Sequence, residues 1–148
     1  MVRVLATGTF DILHPGHLLY LEEAKKLGDE LWVIVACSAM VKHKPKPLLP
    51  EKHRLAMLQA LKVVDHAVLG DEQDMFKPLM DIQPDIIVLG HDQHFSEDDL
   101  KKELTSRGIH AKVVRVTKHE PCTTCSSGAI IRLILEKNEV TTQGKLLI

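Results

Sequence analysis

Aromatic side chains are scarce in this sequence: one Trp, one Tyr and three Phe, 3 % of 148 residues. A protein that grips single-stranded nucleic acid by stacking bases needs more ring surface than that, so this class is excluded at the outset. Charge of one sign is equally lacking. Lys plus Arg number 19 against 20 for Asp plus Glu, a net charge of −1, which leaves no globally basic surface for nucleic acid and no acidic tail. Any anion site must be local. No run approaches the ~18 apolar residues of a membrane span. The first residues show no charged leader, apolar h-region or small-residue cleavage site, so a cytoplasmic protein with no membrane partner is expected. Three cysteines are an odd number for a disulfide framework, and Cys37, inside an apolar run, is expected as a reduced core thiol. What stands in excess is histidine, with nine copies.

The length suits one domain, residues 1–148, with 140–148 as a C-terminal tail. Short β-rich apolar runs recur at Val2–Ala6, Leu31–Cys37, Ala67–Leu69, Ile86–Leu89 and Val113–Val116. Helical spacing lies between them: Leu18, Leu21, Ala24 and Leu27 mark one helix, and Leu55, Leu58 and Leu61 another. Pro50 suits the first position of that second helix, and Ser96 before Glu97, Asp98 and Asp99 reads as an N-cap with an acidic first turn. Continuous rather than alternating apolar strands imply a sheet buried on both faces. The expectation is therefore an α/β fold, a single Rossmann-like parallel sheet of about five strands with helices on both faces. Ligands of such sheets bind beyond the carboxyl ends of the strands, where the strand order switches.

The segment Gly8-Thr9-Phe10-Asp11-Ile12-Leu13-His14-Pro15-Gly16-His17 leaves the first strand and opens the first helix. A helix start offers N–H groups without intrahelical partners and a positive dipole end, which suit a phosphate. His14 and His17 are three apart, so both imidazoles project toward one region if the helix begins near Pro15. Gly16 between them lets a ligand approach the backbone. A plain βα turn would explain Gly8 or Gly16 alone, but not two histidines framing a Pro-Gly.

These residues resemble the signature of the cytidylyltransferase-like nucleotidyltransferase superfamily, a His-x-Gly-His after a Gly-Thr-Phe-Asp turn. The resemblance implies that His14 and His17 contact the nucleotide phosphates and stabilise the transition state at the α-phosphorus, with Gly8, Thr9, Phe10, Asp11, Pro15 and Gly16 forming the nucleotide-binding turn. It also implies a phosphate role for the basic stretch Lys42-His43-Lys44-Pro45-Lys46. Lys44 is its catalytic candidate, with Lys42 and Lys46 as alternatives, and Arg54 in the next helix is a nucleotide contact. Gly90 and Asp92, in the turn after the fourth strand, match the family's Gly-x-Asp beside the nucleotide. His91 and His94 are spaced like metal ligands but lack a third, and read as polar loop residues. Ser126 and Ser127, opening the last helix, match the motif that binds the β- and γ-phosphates. Arg132 falls one place late for the family's basic residue. Lys118 and His119 stand where cytidylyltransferases carry Arg-Thr, which makes His119 a nucleotide-binding candidate.

Cys122 and Cys125, in an apparent insertion before Ser126, form a Cys-x-x-Cys. With His119 it suggests zinc, yet a structural zinc site wants four ligands and no second pair exists, so no protein-held metal is expected. A redox-sensitive or site-adjacent thiol pair is the alternative. The runs Leu5–His17, Gly70–Asp74 and Leu89–Phe95 and the Cys-x-x-Cys-Ser-Ser junction look most like the archaeal FAD synthases. That likeness implies transfer of AMP from ATP to FMN with release of pyrophosphate, a divalent cation such as Mg2+ screening the triphosphate, and a homodimer compatible with the apolar Leu146-Leu147-Ile148 end. The competing readings are a cytidylyltransferase acting on glycerol 3-phosphate or a similar phosphate monoester, a non-catalytic nucleotide-binding module and, more remotely, a zinc-dependent redox protein.

Overall fold

The computed structural model describes residues 1–42, 45–91, 93, 95–118 and 122–140. Among these residues five strands form one sheet: β1 (Arg3–Gly8), β2 (Glu30–Val35), β3 (His66–Leu69), β4 (Ile86–Leu89) and β5 (Lys112–Arg115). All neighbours pair in parallel, in the order β3-β2-β1-β4-β5. The helices are α1 (Pro15–Lys25), α2 (Glu51–Gln59), α3 (Lys77–Ile82), α4 (Glu97–Ser106) and α5 (Ser127–Val140), with one 3-10 turn at Ser38–Met40.

Two apolar clusters occupy the two faces. One joins Val4, Ala6, Val33 and Val88 to Leu21 and Ala24 of α1 and Leu58 of α2. The other joins Leu5, Ile34 and Ile87 to Leu79 and Ile82 of α3 and Leu100 and Leu104 of α4. Successive residues of β1 thus feed opposite cores, as a strand's period of two requires, and each fully buried Leu or Val contributes roughly 1.5–3 kcal/mol. The expected doubly covered parallel sheet is what the chain forms.

The differences at element ends have simple causes. Pro50 is the N-cap of α2 rather than its first helical residue, with its carbonyl accepting from His53 and Arg54. Helix α1 stops at Lys25, so Leu27 lies past it, and Leu18 is half-exposed; only Leu21 and Ala24 of that stripe are buried. Strand β1 runs on to Gly8 because its ladder with β2 extends to Gly8↔Val35.

That last extension opens the site. The β1–β4 ladder ends at Ala6↔Val88, two residues before the β1–β2 ladder does. Thr7 and Gly8 therefore part from β4 at the point where strand order reverses. Side chains fill the gap: Gln93 Nε2 donates to the Thr7 carbonyl at 2.9 Å, and the Tyr20 hydroxyl donates to the Val88 carbonyl at 2.8 Å.

Candidate active site

A pocket of about 540 Å³ lies over this divergence. Its walls come from the end of β1, the starts of α1 and α5, and the turns after β4 and β5.

The turn after β1 is tightly specified. Gly8 carries no side chain because the Phe10 ring occupies that space: a Cβ there would lie 2.8 Å from Phe10 Cε2. Phe10 itself adopts φ 53°, a left-handed conformation that bulky residues rarely take and that marks strain held by its surroundings. Its ring is 3 % exposed and packs on His17 at 5.2 Å between centroids. His14 then caps α1 in extended conformation, with its carbonyl accepting from His17 and Leu18 and Pro15 in the first turn. The cap brings the two imidazoles into a stack, centroids 3.7 Å apart and planes 26° from parallel. Two protonated imidazoles that close would repel, and an anion laid against both would offset the repulsion.

Opposite them, Ser126 opens α5, its hydroxyl accepting from Ala129 N–H at 3.1 Å, while the Ser127 hydroxyl donates to the Ile12 carbonyl at 3.4 Å. Gly16 permits this approach, since a Cβ on it would meet the Cys125 carbonyl oxygen at 2.7 Å. The first turns of α1 and α5 therefore converge on one volume, and both bring a positive dipole end to it.

Of the residues expected in the site, Gly8, Thr9, Phe10, His14, Gly16, His17, Gly90, Ser126 and Ser127 line the pocket. Pro15 sits between two of them at the helix start without lining it. Asp11 turns away: its carboxylate accepts the N–H groups of Leu48 and Leu49, each at 2.9 Å, and tethers the far end of the basic loop. Arg54 is fully buried. Its guanidinium donates to the carbonyls of Thr9 (2.6 Å), Ala36 (2.8 Å) and Leu49 (3.0 Å) and to Ser38 Oγ (3.1 Å). Burial pulls its pKa below the ordinary arginine value, opposed by the carboxylates of Asp11 and Glu51. Its place is behind the β1 turn, which it holds from within. Lys46 is engaged with the Ser38 carbonyl at 2.8 Å, and Lys42 is exposed. Lys44, Asp92 and His119 lie outside the described residues, as do His43, His94 and the segment 141–148. Arg132 is exposed, one turn beyond Gly128, and its guanidinium lies 3.6 Å from where a Gly128 Cβ would stand.

Other lining residues had no signal, or a weak one, in the sequence. Gln93 imitates backbone with its side chain, accepting from Gly90 N–H at 2.8 Å through Oε1 while donating to Thr7. Tyr20 and Thr7 line the pocket from the interior of their elements, and Lys118 and His91 complete its rim. Arg115 sits behind the β4–α4 turn, donating to the carbonyls of Gly90 (2.8 Å), Gln93 (3.0 Å) and Phe95 (2.6 Å) and pairing with Glu97 (3.1 Å). Cys122 and Cys125 are joined by a disulfide at the rim, so in this state neither offers a thiolate to zinc. Cys37 is a buried thiol, as expected. Among the described residues, no group of three His, Cys, Asp or Glu side chains could hold a metal ion.

The cytidylyltransferase-like family model matches residues 5–133. The FAD synthase of Methanohalophilus mahii is 64 % identical over 137 residues, 93 % of this chain and 96 % of that protein. The FAD synthase of Archaeoglobus fulgidus is 60 % identical over 133 residues, 90 % of this chain and 97 % of that one. The crystal structure of the lipopolysaccharide core biosynthesis protein from Thermoplasma volcanium superposes with a TM-score of 0.78 at 50 % identity, over 81 % of this chain and 99 % of that chain. The chain belongs to the cytidylyltransferase-like family and, within it, to the archaeal FAD synthases.

Proposed function

We propose that the whole chain is one nucleotidyltransferase domain that joins the AMP portion of ATP to FMN, giving FAD and pyrophosphate. The observation that carries the chemistry is the stacked pair His14–His17 at the start of α1, facing the start of α5 across one pocket. The acceptor is the one implied by the FAD synthase relatives.

The phosphate of FMN, with a second pKa near ~6, is already anionic at neutral pH. It attacks the α-phosphorus in line, a new P–O bond forms, and the bond to the bridging oxygen of pyrophosphate breaks. No general base is required. Negative charge gathers on the α-phosphoryl and bridging oxygens, so the protein's part is positioning and fixed donors. In this reading His14, His17 and Lys44 stabilise that charge, and Ser126 and Ser127 with the α5 start hold the β- and γ-phosphates. Gly8, Thr9, Phe10, Pro15 and Gly16 shape the turn against the nucleotide. Gly90, Asp92 and His119 meet its nucleoside half, while Asp11 and Arg54 act by holding the turn and the basic loop in place.

The described lining residues include no carboxylate, so a divalent cation fits this site as one carried on the triphosphate, which is how Mg2+ is commonly held. Bound there, it would neutralise phosphate charge. The enzyme is read as cytoplasmic, in keeping with its ATP substrate; no helix among the described residues is long and apolar enough to cross a membrane. A homodimer is supported by Ile134 and Leu135, both more than half exposed on α5, and light scattering tests it.

The test of function is pyrophosphate release with each nucleoside triphosphate and a panel of phosphate monoesters. FMN-dependent release with ATP, with FAD as product, is the expected result. Release only with CTP and glycerol 3-phosphate would replace both substrates, and silence with every pair would leave a nucleotide-binding module.

A further inference from the structure

Three of the five aromatic side chains are committed elsewhere. Phe10 is buried against His17, Tyr20 is tied to the Val88 carbonyl, and Trp32 stacks on His66 at 4.2 Å in the amino-terminal half of β2. The other two, Phe76 and Phe95, are half-buried and come from different segments, one before α3 and one before α4. They meet at a second crevice at the carboxyl edge of the sheet, on the face opposite the nucleotide pocket.

The floor of this crevice is core, including Leu79 and Leu89, and its mouth is Thr7, Met75, Phe76 and Phe95. It holds about 30 Å³, room for the edge of a ring, with the rest of the ring lying over the mouth. Thr7 lines both the crevice and the nucleotide pocket, so the two open on either side of one residue of the central strand. Both rings are carried on backbone pinned by an arginine network. Asp74 accepts from Phe76 N–H at 3.0 Å and pairs with Arg107 at 2.7 Å, and the Arg107 guanidinium lies 4.8 Å from the Phe76 ring centroid. Arg115 holds the Phe95 carbonyl. Apolar side chains left half-exposed on so fixed a frame suit a flat, apolar ligand edge that arrives pre-shaped.

We infer that Met75, Phe76 and Phe95 bind the dimethylbenzene edge of the acceptor's isoalloxazine, while its ribityl phosphate passes Thr7 to reach the α-phosphorus beside His14 and His17. The inference rests on the proposed function and supplies what that reading lacks, a ring site outside the nucleotide pocket. It also assigns acceptor choice to residues that make no contact with the triphosphate.

Steady-state kinetics with the full chain test it, using lumiflavin, the ring without ribityl or phosphate, as the probe. With wild type, lumiflavin should inhibit competitively against FMN and not against ATP. Met75→Ala, Phe76→Leu and Phe95→Leu should each raise KM for FMN about fivefold, weaken lumiflavin inhibition in parallel and leave KM for ATP within about twofold. Met75 is 38 % exposed, so its truncation tests the site without opening the core. Unchanged KM for FMN in all three variants, or KM for ATP rising in step, overturns the ring site while leaving the adenylyl transfer intact. Failure of the wild type to form any FAD is a different outcome, read before any variant is made, and removes the acceptor itself.

Discussion

His17 projects from the first turn of α1 into the pocket, where its ring packs against those of His14 and Phe10. His17→Ala is expected to lower kcat by about 10²–10³-fold with little change in the urea midpoint; a fully active variant would take His17 out of the chemistry. Gly16→Ala acts differently. Its Cβ would press on a backbone oxygen, that of Cys125, which cannot swing aside as a side-chain tip can. The 122–125 turn must withdraw, so KM for ATP should rise and stability fall by about 1–3 kcal/mol, read by urea unfolding. Arg54→Met would leave the carbonyls of Thr9, Ala36 and Leu49 without their donor and should cost about 3 kcal/mol or more. Were Arg54 instead a direct nucleotide contact, ATP affinity would fall with the urea midpoint unchanged. This residue also marks a limit of sequence reading: a guanidinium serves a triphosphate and a cluster of carbonyls equally well, and only the path of the loop decides between them. Asp11 is the same case, since a carboxylate beside a Gly-rich turn gives no sign that two amides thirty-odd residues later will claim it.

At the level of elements, the β4–α4 turn is held by a single side chain from β5. Arg115→Ala should loosen the carbonyls of Gly90, Gln93 and Phe95 together, raising amide exchange across 90–95 and KM for both substrates more than it lowers kcat. Arg115→Lys should restore little, because a point ammonium cannot span three carbonyls as a planar fork does. A turn that exchanges no faster in Arg115→Ala would mean that Gln93 alone fixes it. The strands were readable because a parallel sheet covered on both sides demands unbroken apolar runs, and β4 matches its run residue for residue. Helix α3 was not readable: six residues with Pro78 in the first turn carry too little periodicity, and its end rests on Gln83 at φ 51° rather than on a glycine. The α4 cap was readable because Ser96 acts locally, accepting from Asp99 N–H. The bond from Gln93 to Thr7, which spans most of the chain, had no such local trace.

Across the whole molecule, acid should be the destabilising direction. The hydrogen bond from Arg107, with the Phe76 N–H, holds Asp74 below the ordinary aspartate range, and the N–H groups of Gln73 and Asp74 do the same for Asp71. A carboxyl whose folded pKa is depressed contributes stability that is fully present above its unfolded value, near ~4, and is lost as pH falls through the folded value. Thermal midpoints should therefore be flat between about pH 6 and 8 and fall below about pH 4, and Asp74→Asn should be less stable than wild type at pH 7 yet converge with it in acid. Equal pH profiles for the two proteins would show that Asp74 adds nothing. The global plan, alternating strands and helices with the site at one edge, was legible because it is written in apolar periodicity and in one dense motif. The division of that edge into two openings around Thr7 was not, because it depends on where the β1–β4 ladder stops.

The central place of β1 also sets the order in which the chain can mature. It leaves the ribosome before β2, β3, β4 and β5, yet one of its edges has no partner until Ile86–Leu89 has followed. A nascent chain ending before that point holds β1 as an open template, exposed to other chains and to chaperones. Ribosome-stalled chains should turn protease-resistant only once β4 is clear of the exit tunnel, so a strand made ahead of its four neighbours in the sheet must wait for the fourth of the five before both its edges are sealed.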